Sequence, residues 1–344
     1  MAVIIPCAGR SSRFPGTRPK FLLTLYNGDA MFERAANPYI KLGEQVHFIV
    51  LREHVQKYDA EMAIKMAYEG CDNVFVHILN NVTGGPAETV YTVVKDLYSQ
   101  PIFIQDCDSY FDVKLNHDNQ ICVADLRQFK DVTNVAAKSY AVVNEQDMIT
   151  NIIEKSVVSN NICVGGYGFK SAQEFCEAFD ELKDSSGEIF ISHIIKRMLE
   201  DTSFQAYRVN EFIDVGTYEE FVKYNQTRPT IFCDLDGTIF VNQSKLFTNH
   251  YGNAPKVIQP AVDWLLKKEQ HGSKIIFTTS RPDKYKNITE QALQDCGFKD
   301  ITTLYNIPHA PRIVINDNSK TNPYPTAIAM NVPRDDEQYW KMLL

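Results

Sequence analysis

At 344 residues the chain has room for two domains of roughly 100–200 residues each, and with 44% hydrophobic and 23% charged residues it has a globular composition, not a disordered or fibrous one. Lys plus Arg number 35 against 43 for Asp plus Glu, a formal net charge of −8, which argues against nucleic acid or an anionic membrane surface as the main partner. No apolar run approaches the roughly 18 residues of a membrane span.

The elements follow in chain order. MAVIIPCAG is a short apolar run that enters a Gly turn without a basic n-region, so it reads as a first strand, not a signal peptide. VIIP (3–6), HFIVL (47–51), VFVHIL (74–79) and PIFIQD (101–106) read as strands, with helical spacing near 54–68 and 86–98. Strands separated by helices predict βαβ units and a mostly parallel sheet. From about 136 to 170 the pattern turns strand-rich, a mixed-sheet addition, and helices follow near 171–183 and 188–200. The polar stretch YNQTRPT (224–230) is the best boundary. A second alternation runs beyond it: strand 230–234, helix 260–270, strand 274–279, helix 286–296 and strand 312–316. The expected domains are therefore 1–226 and 227–344. Eight scattered Cys with no CxxC pair point to reduced thiols and a cytoplasmic setting.

The motifs carry the chemistry. VIIPCAGRSSRFPGTRPKF (3–21) delivers a small-residue turn after the first strand, then Arg10, Arg13, Arg18 and Lys20. Small residues let backbone N–H groups approach phosphate oxygens, and the basic side chains offset phosphate charge. PIFIQDCDSYF ends a strand with Asp106 and Asp108, which at i and i+2 of an extended chain point the same way and can face one Mg²⁺.

AGRSSRF…PK resembles the signature of sugar-phosphate nucleotidyltransferases, roughly A-G-x-G-x-R-F followed by P-K. Further matches keep the family's order: TGGPAET (83–89), the D-x-D of Asp106 and Asp108, IIEKS (152–156), VGGYGF (164–169), GEIFISHII (187–195) and FIDVGTYEEF (212–221). The resemblance implies that Ala8, Gly9, Arg10 and Ser12 hold a nucleotide together with Gly85 and Asp106. It further implies that Arg13 and Lys20 are catalytic on its phosphates, that Glu154, Lys155 and Gly166 contact the second substrate, and that Asp108 and Asp214 hold Mg²⁺. Ser11 stands where the family usually has a second Gly, and it is strained if that position needs positive φ. Thr217 is placed to cap a helix starting near Tyr218.

In the second half IFCDLDGT (231–238) is similar to the first motif of the haloacid dehalogenase (HAD) superfamily of phosphohydrolases. That resemblance makes Asp234 a nucleophile forming an aspartyl phosphate and Asp236 the acid and base around it. In KIIFTTSRP it makes Thr279 a phosphate ligand, with Thr278 the alternative. Asp317 of PRIVIND would be a Mg²⁺ carboxylate with Asp234 and Asp236. Arg312 would neutralise phosphate, with Lys320 the alternative. The spacings from Thr238 to Thr279 and from Arg281 to Arg312 are too short to hold a cap domain.

The expected fold is thus α/β in two domains: a Rossmann-like mixed-sheet nucleotidyltransferase domain and a small capless Rossmann-like HAD domain. The implied protein is a bifunctional enzyme of activated-sugar or activated-polyol, and so surface polysaccharide, biosynthesis. Its partners would be a nucleoside triphosphate and a phosphorylated sugar or polyol, with no nucleic acid and no membrane insertion; a homo-oligomer stays open. The phosphatase would trim a bisphosphate acceptor before transfer or act after it. A glycosyltransferase with a metal-binding D-x-D is one alternative, against which the Arg13…Lys20 cluster speaks. A nucleotide-binding module that regulates the phosphatase is another.

Overall fold

The computed structural model describes residues 1–97, 99–129, 132–246, 248–317 and 326–344. The chain divides into two compact units, Met1–Phe221 and Val222–Leu344.

The first unit runs β1 (Ala2–Pro6), α1 (Met31–Lys41), β2 (Gln45–Leu51), α2 (Arg52–Tyr58), α3 (Ala60–Ala67), β3 (Val74–Leu79), α4 (Pro86–Val94) and β4 (Ile102–Gln105). It continues with β5 (Ser109–Phe111), β6 (Gln120–Asp125), β7 (Ser139–Val143), β8 (Met148–Glu154), β9 (Asn161–Phe169), α5 (Ala172–Leu182), α6 (Ile191–Met198), β10 (Phe204–Arg208), β11 (Phe212–Asp214) and α7 (Tyr218–Gln226), which crosses the boundary. Nine strands form one sheet in the order β3-β2-β1-β4-β9-β6-β10-β8-β7. The pairs β3–β2, β2–β1 and β1–β4 are parallel, whereas β9 runs antiparallel to both β4 and β6. The strand-rich stretch is thus the mixed half of the sheet.

Alternation along β2 shows that helices cover both faces. Phe48 meets Phe32 of α1 edge to face, while Ile49 joins a core with Val90 and Val94 of α4, Phe175 of α5 and Ile194 of α6. The single helix expected near 54–68 is two, because Asp59 takes a left-handed φ of 51° that no α-helix continues through.

Chain order reverses at β1. From β1 the chain builds β2 and β3 to one side, then returns to place β4 on the other. The crevice beyond the carboxyl ends of β1 and β4 is therefore a topological switch point, where open α/β sheets bind ligands. A separate antiparallel pair, β5 with β11, sets Ser109 opposite Asp214.

The second unit holds β12 (Thr230–Asp234), α8 (Gln259–Gln270), β13 (Lys274–Thr278), α9 (Lys286–Asp295), β14 (Thr303–Leu304) and α10 (Glu337–Lys341). Its three strands are parallel, in the order β12-β13-β14. Leu235, Phe240, Val262, Leu265, Phe277 and Trp340 lie in its core. The chain's two tryptophans, Trp264 and Trp340, pack with ring centroids 5.6 Å apart. The strand expected at 312–316 is not formed. Pro311 brings no N–H to a ladder, and Ile313, Val314 and Ile315 are 85%, 57% and 92% exposed. β-branched composition without a neighbouring strand gives neither hydrogen bonds nor burial.

No helix among the described residues is long and apolar enough to cross a membrane.

Candidate active site

The loop after β1 begins at buried Ala8 and rises through Gly9, Arg10, Ser12 and Arg13, all exposed. Ser11 does adopt the left-handed conformation, φ 49°, that the resemblance reserves for Gly. Its hydroxyl accepts a hydrogen bond from the Lys20 backbone N–H (3.0 Å) and its carbonyl one from the Phe14 N–H (2.8 Å). Two local bonds thus offset a backbone cost of about 1–2 kcal/mol and fix where Lys20 leaves the loop.

Lys20 then reaches across the crevice: its Nζ lies 2.5 Å from Asp108 Oδ2. Burial alone would raise the Asp108 pKa, but Lys20, then Arg13 and Lys138, hold it at about 2. Asp106, on the same segment, is pushed up to about 7 by burial and next by the charge of Asp108. Its backbone N–H donates to Gly165 O at 2.8 Å, and a Cβ on Gly165 would stand 2.6 Å from Asp106 Oδ2. This close approach demands glycine there.

Asp214 is set beside Asp108 by the β5–β11 pair. The Val215 N–H donates to Asp108 O at 2.9 Å, and the Gly216 N–H to Asp214 Oδ1 at 3.0 Å. A Cβ built on Gly216 would lie 3.0 Å from Asp108 Oδ2, 3.0 Å from Asp214 Oδ1 and 3.7 Å from Arg13 Nη1. Three proposed site residues, 13, 108 and 214, therefore meet around one glycine. Thr217 and Glu220 exchange hydrogen bonds as a capping box that starts α7 directly behind them. Two converging carboxylates are hard oxygen donors suited to Mg²⁺, which usually takes one or two protein carboxylates and completes its shell with water and phosphate oxygens.

The remaining sequence candidates fall into two groups. Glu154 ends β8 and accepts hydrogen bonds from the hydroxyls of Ser139 and Ser192, so it sits in a polar network near the crevice. Gly85 caps α4 where a Cβ would collide with Ile189 O at 2.7 Å, joining the Gly84–Gly85 turn to the segment before α6. Gly166, expected to touch substrate, is buried: a Cβ would strike the Phe111 ring at 2.5 Å, so its role is packing. Lys155 sets its ammonium 4.0 Å from the Phe190 ring centroid.

Sequence reasoning missed Lys138, which forms an ion pair with Asp214. Burial raises the Asp214 pKa, and Lys138 opposes that rise. The one available signal was a lone Lys opening the strand run SYAVV.

In the second unit, β12 and β13 bring Asp234 opposite Thr278, and Thr279 follows directly. Arg312 Nη2 lies 2.9 Å from Asp234 Oδ1. Burial raises the Asp234 pKa, with Arg312 opposing. Asp236 is gripped by Arg281, whose Nε and Nη2 lie 2.9 and 2.6 Å from its two oxygens. Arg281 is wholly buried and also donates to Gln243 and Thr289. Thr279 Oγ1 stands 3.4 Å from Asp236 Oδ2. Asp317 is exposed, its N–H held by its neighbour Asn316, so the expected Asp234–Asp236–Asp317 cluster is not assembled. Among the described residues, no group of three or more His, Cys, Asp or Glu side chains is arranged to hold a metal. With Asp317 apart from Asp234 and Asp236, the second unit does not fit Mg²⁺ in this arrangement. Lys320 lies outside the described residues.

No protein-family model and no curated protein sequence matches the chain. Solved structures do. A nucleoside-diphosphate-sugar pyrophosphorylase from Vibrio cholerae RC9 is 21% identical with a TM-score of 0.56, covering 65% of this chain and 99% of its own. An inositol-1-phosphate CTP transferase from T. maritima is 16% identical with a TM-score of 0.52, covering 64% and 90%. A UDP-glucose pyrophosphorylase complexed with UDP-glucose is 15% identical with a TM-score of 0.51, covering 64% and 95%. These likenesses span the N-terminal part of the chain, which has the mixed α/β fold of sugar-phosphate nucleotidyltransferases.

Proposed function

We propose that the first unit transfers a nucleotidyl group from a nucleoside triphosphate to a phosphorylated sugar or polyol, releasing pyrophosphate. The convergence of Arg13, Asp108 and Asp214 on Gly216, with Lys20 paired to Asp108, carries this reading. An oxygen of the acceptor's phosphate forms a bond to the α-phosphorus, and the bond from that phosphorus to the bridging oxygen breaks in line. The electron pair leaves on pyrophosphate. The acceptor phosphate is already ionised at neutral pH, so no general base is required. Arg13 and Lys20 offset the charge that grows on the leaving group. Asp108 and Asp214 would hold Mg²⁺, which when bound supplies further offset of the triphosphate charge.

The second unit is proposed to be a phosphohydrolase, on the juxtaposition of Asp234, Asp236, Thr279 and Arg312 at the carboxyl ends of β12 and β13. Asp234 would attack phosphorus and Arg312 would neutralise the phosphoryl oxygens. Asp236, set by Arg281, would serve the leaving oxygen and then water. Together the two activities suit biosynthesis of an activated sugar or polyol in the cytoplasm.

A pyrophosphate-release screen tests the transfer reading, using Asp234→Asn protein and four nucleoside triphosphates against sugar and polyol phosphates. Release with at least one pair is expected. Triphosphate binding without release from any pair would overturn it and leave a nucleotide-binding regulatory unit.

A further inference from the structure

We propose that Lys138, and not Lys155, holds the phosphate of the acceptor. This rests on the transfer reading above and names the residue that serves its second substrate. Nucleotidyl transfer brings two anions together, and each needs its own cation. Arg13 and Lys20, from the loop after β1, face the triphosphate, and Lys20 is already committed to Asp108.

The chain entering β7 brings a third cation to the two carboxylates. There Lys138 pairs with Asp214, with its side chain 20% exposed. The next residue, Ser139, donates to Glu154, which also accepts from Ser192. A cation thus adjoins a carboxylate–hydroxyl network, the combination that recognises a hydroxylated molecule bearing a phosphate. The Lys155 side chain is engaged by an aromatic ring instead of a carboxylate. Its N–H donates to the Lys138 carbonyl at 3.1 Å, its φ of 53° is left-handed, and its ammonium lies over the Phe190 ring. That geometry makes Lys155 a brace for the Lys138 backbone.

An ammonium has three N–H donors, so Lys138 can keep Asp214 on one and take phosphate oxygens on the others. It transfers nothing itself: the acceptor oxygen gains its bond to the α-phosphorus while Lys138 holds the acceptor phosphate and fixes the line of attack.

The test compares full-length protein carrying Asp234→Asn with the same protein bearing Lys138→Gln, Lys138→Arg or Lys155→Gln. Gln at 138 can still hydrogen-bond Asp214, and Arg keeps the charge, so folding and charge are separated. Inorganic phosphate is titrated calorimetrically with saturating pyrophosphate present to fill the Arg13–Lys20 loop. The KM for acceptor is measured with whichever pair releases pyrophosphate. Lys138→Gln is expected to weaken phosphate binding and raise the acceptor KM at least tenfold, leaving the triphosphate KM within twofold. Lys138→Arg should restore most of the loss, and Lys155→Gln should change phosphate affinity less than threefold. Unchanged phosphate affinity in Lys138→Gln, or the tenfold loss appearing in Lys155→Gln instead, overturns the proposal. A Lys138-dependent phosphate site in a protein that releases no pyrophosphate upholds this assignment and sinks the transfer reading.

Discussion

A single missing side chain organises the first site. Gly216 lies where two carboxylates and a guanidinium converge, and a methyl group there would sit 3.0 Å from an oxygen of each acid. Gly216→Ala is therefore expected to lower pyrophosphate release about 100-fold, the scale on which a small misplacement of reacting groups acts. Circular dichroism should remain native. Activity within threefold of wild type would show that the carboxylates do not work through that point. Residues of this kind divide sharply in how readable they are. The backbone-borne loop at 8–20 and the D-x-D of Asp106 and Asp108 are local, so their residue types and their place in the order of the resembling motifs brought them into view. Lys138 and Asp214 are 76 residues apart, and only the sheet brings them together. Arg281 follows Thr279 by two positions, yet nothing local says that its side chain turns inward to Asp236 and loses all exposure.

Elements were legible where an apolar run was bounded on both sides by turn residues. β3 and β12 lie at their expected residues because each apolar run is also flanked by turns. α1 was hidden because Pro38 interrupts its pattern, and its burial of Met31, Phe32, Ala35, Ala36 and Tyr39 outweighs the lost hydrogen bond. The run at 312–316 went the other way: strand composition without a partner.

The β2–β3 pair contains one more dependence that sequence does not show. His47 Nδ1 lies 3.0 Å from His77 Nε2, with the rings stacked. Burial, then the neighbouring His77, lowers the His47 pKa from 6.5 to about 4, and burial also lowers that of His77. Between these values the unfolded chain binds more protons than the folded one, so stability rises with pH. The contribution is whole above about pH 6.5 and is lost progressively toward about pH 4. The loss is up to about 3 kcal/mol for His47. His47→Leu should flatten this part of the thermal-midpoint profile measured from neutral to acid pH. A variant profile parallel to wild type would refute the assignment.

At the scale of the whole molecule, two compact units each carry a separate set of acids and bases. Each set lies within one unit: Arg13, Lys20, Asp108 and Asp214 in Met1–Phe221, and Asp234, Asp236, Thr279 and Arg312 in Val222–Leu344. Asp108→Ala is accordingly expected to abolish pyrophosphate release while phosphate release from p-nitrophenyl phosphate persists, and Asp234→Asn to do the reverse. Loss of both activities in a folded single variant would mean that the units depend on each other.

The tryptophan pair in the second unit bears on how such dependence can be observed. Because Trp264 and Trp340 are the only indoles in the chain, fluorescence excited at the red edge of protein absorption arises from the Val222–Leu344 unit alone. Denaturant titrations followed by that emission and by far-ultraviolet dichroism would trace one unit and both units of the intact protein. The gap between the two curves measures how cooperatively the halves unfold, without cutting the chain or adding a label.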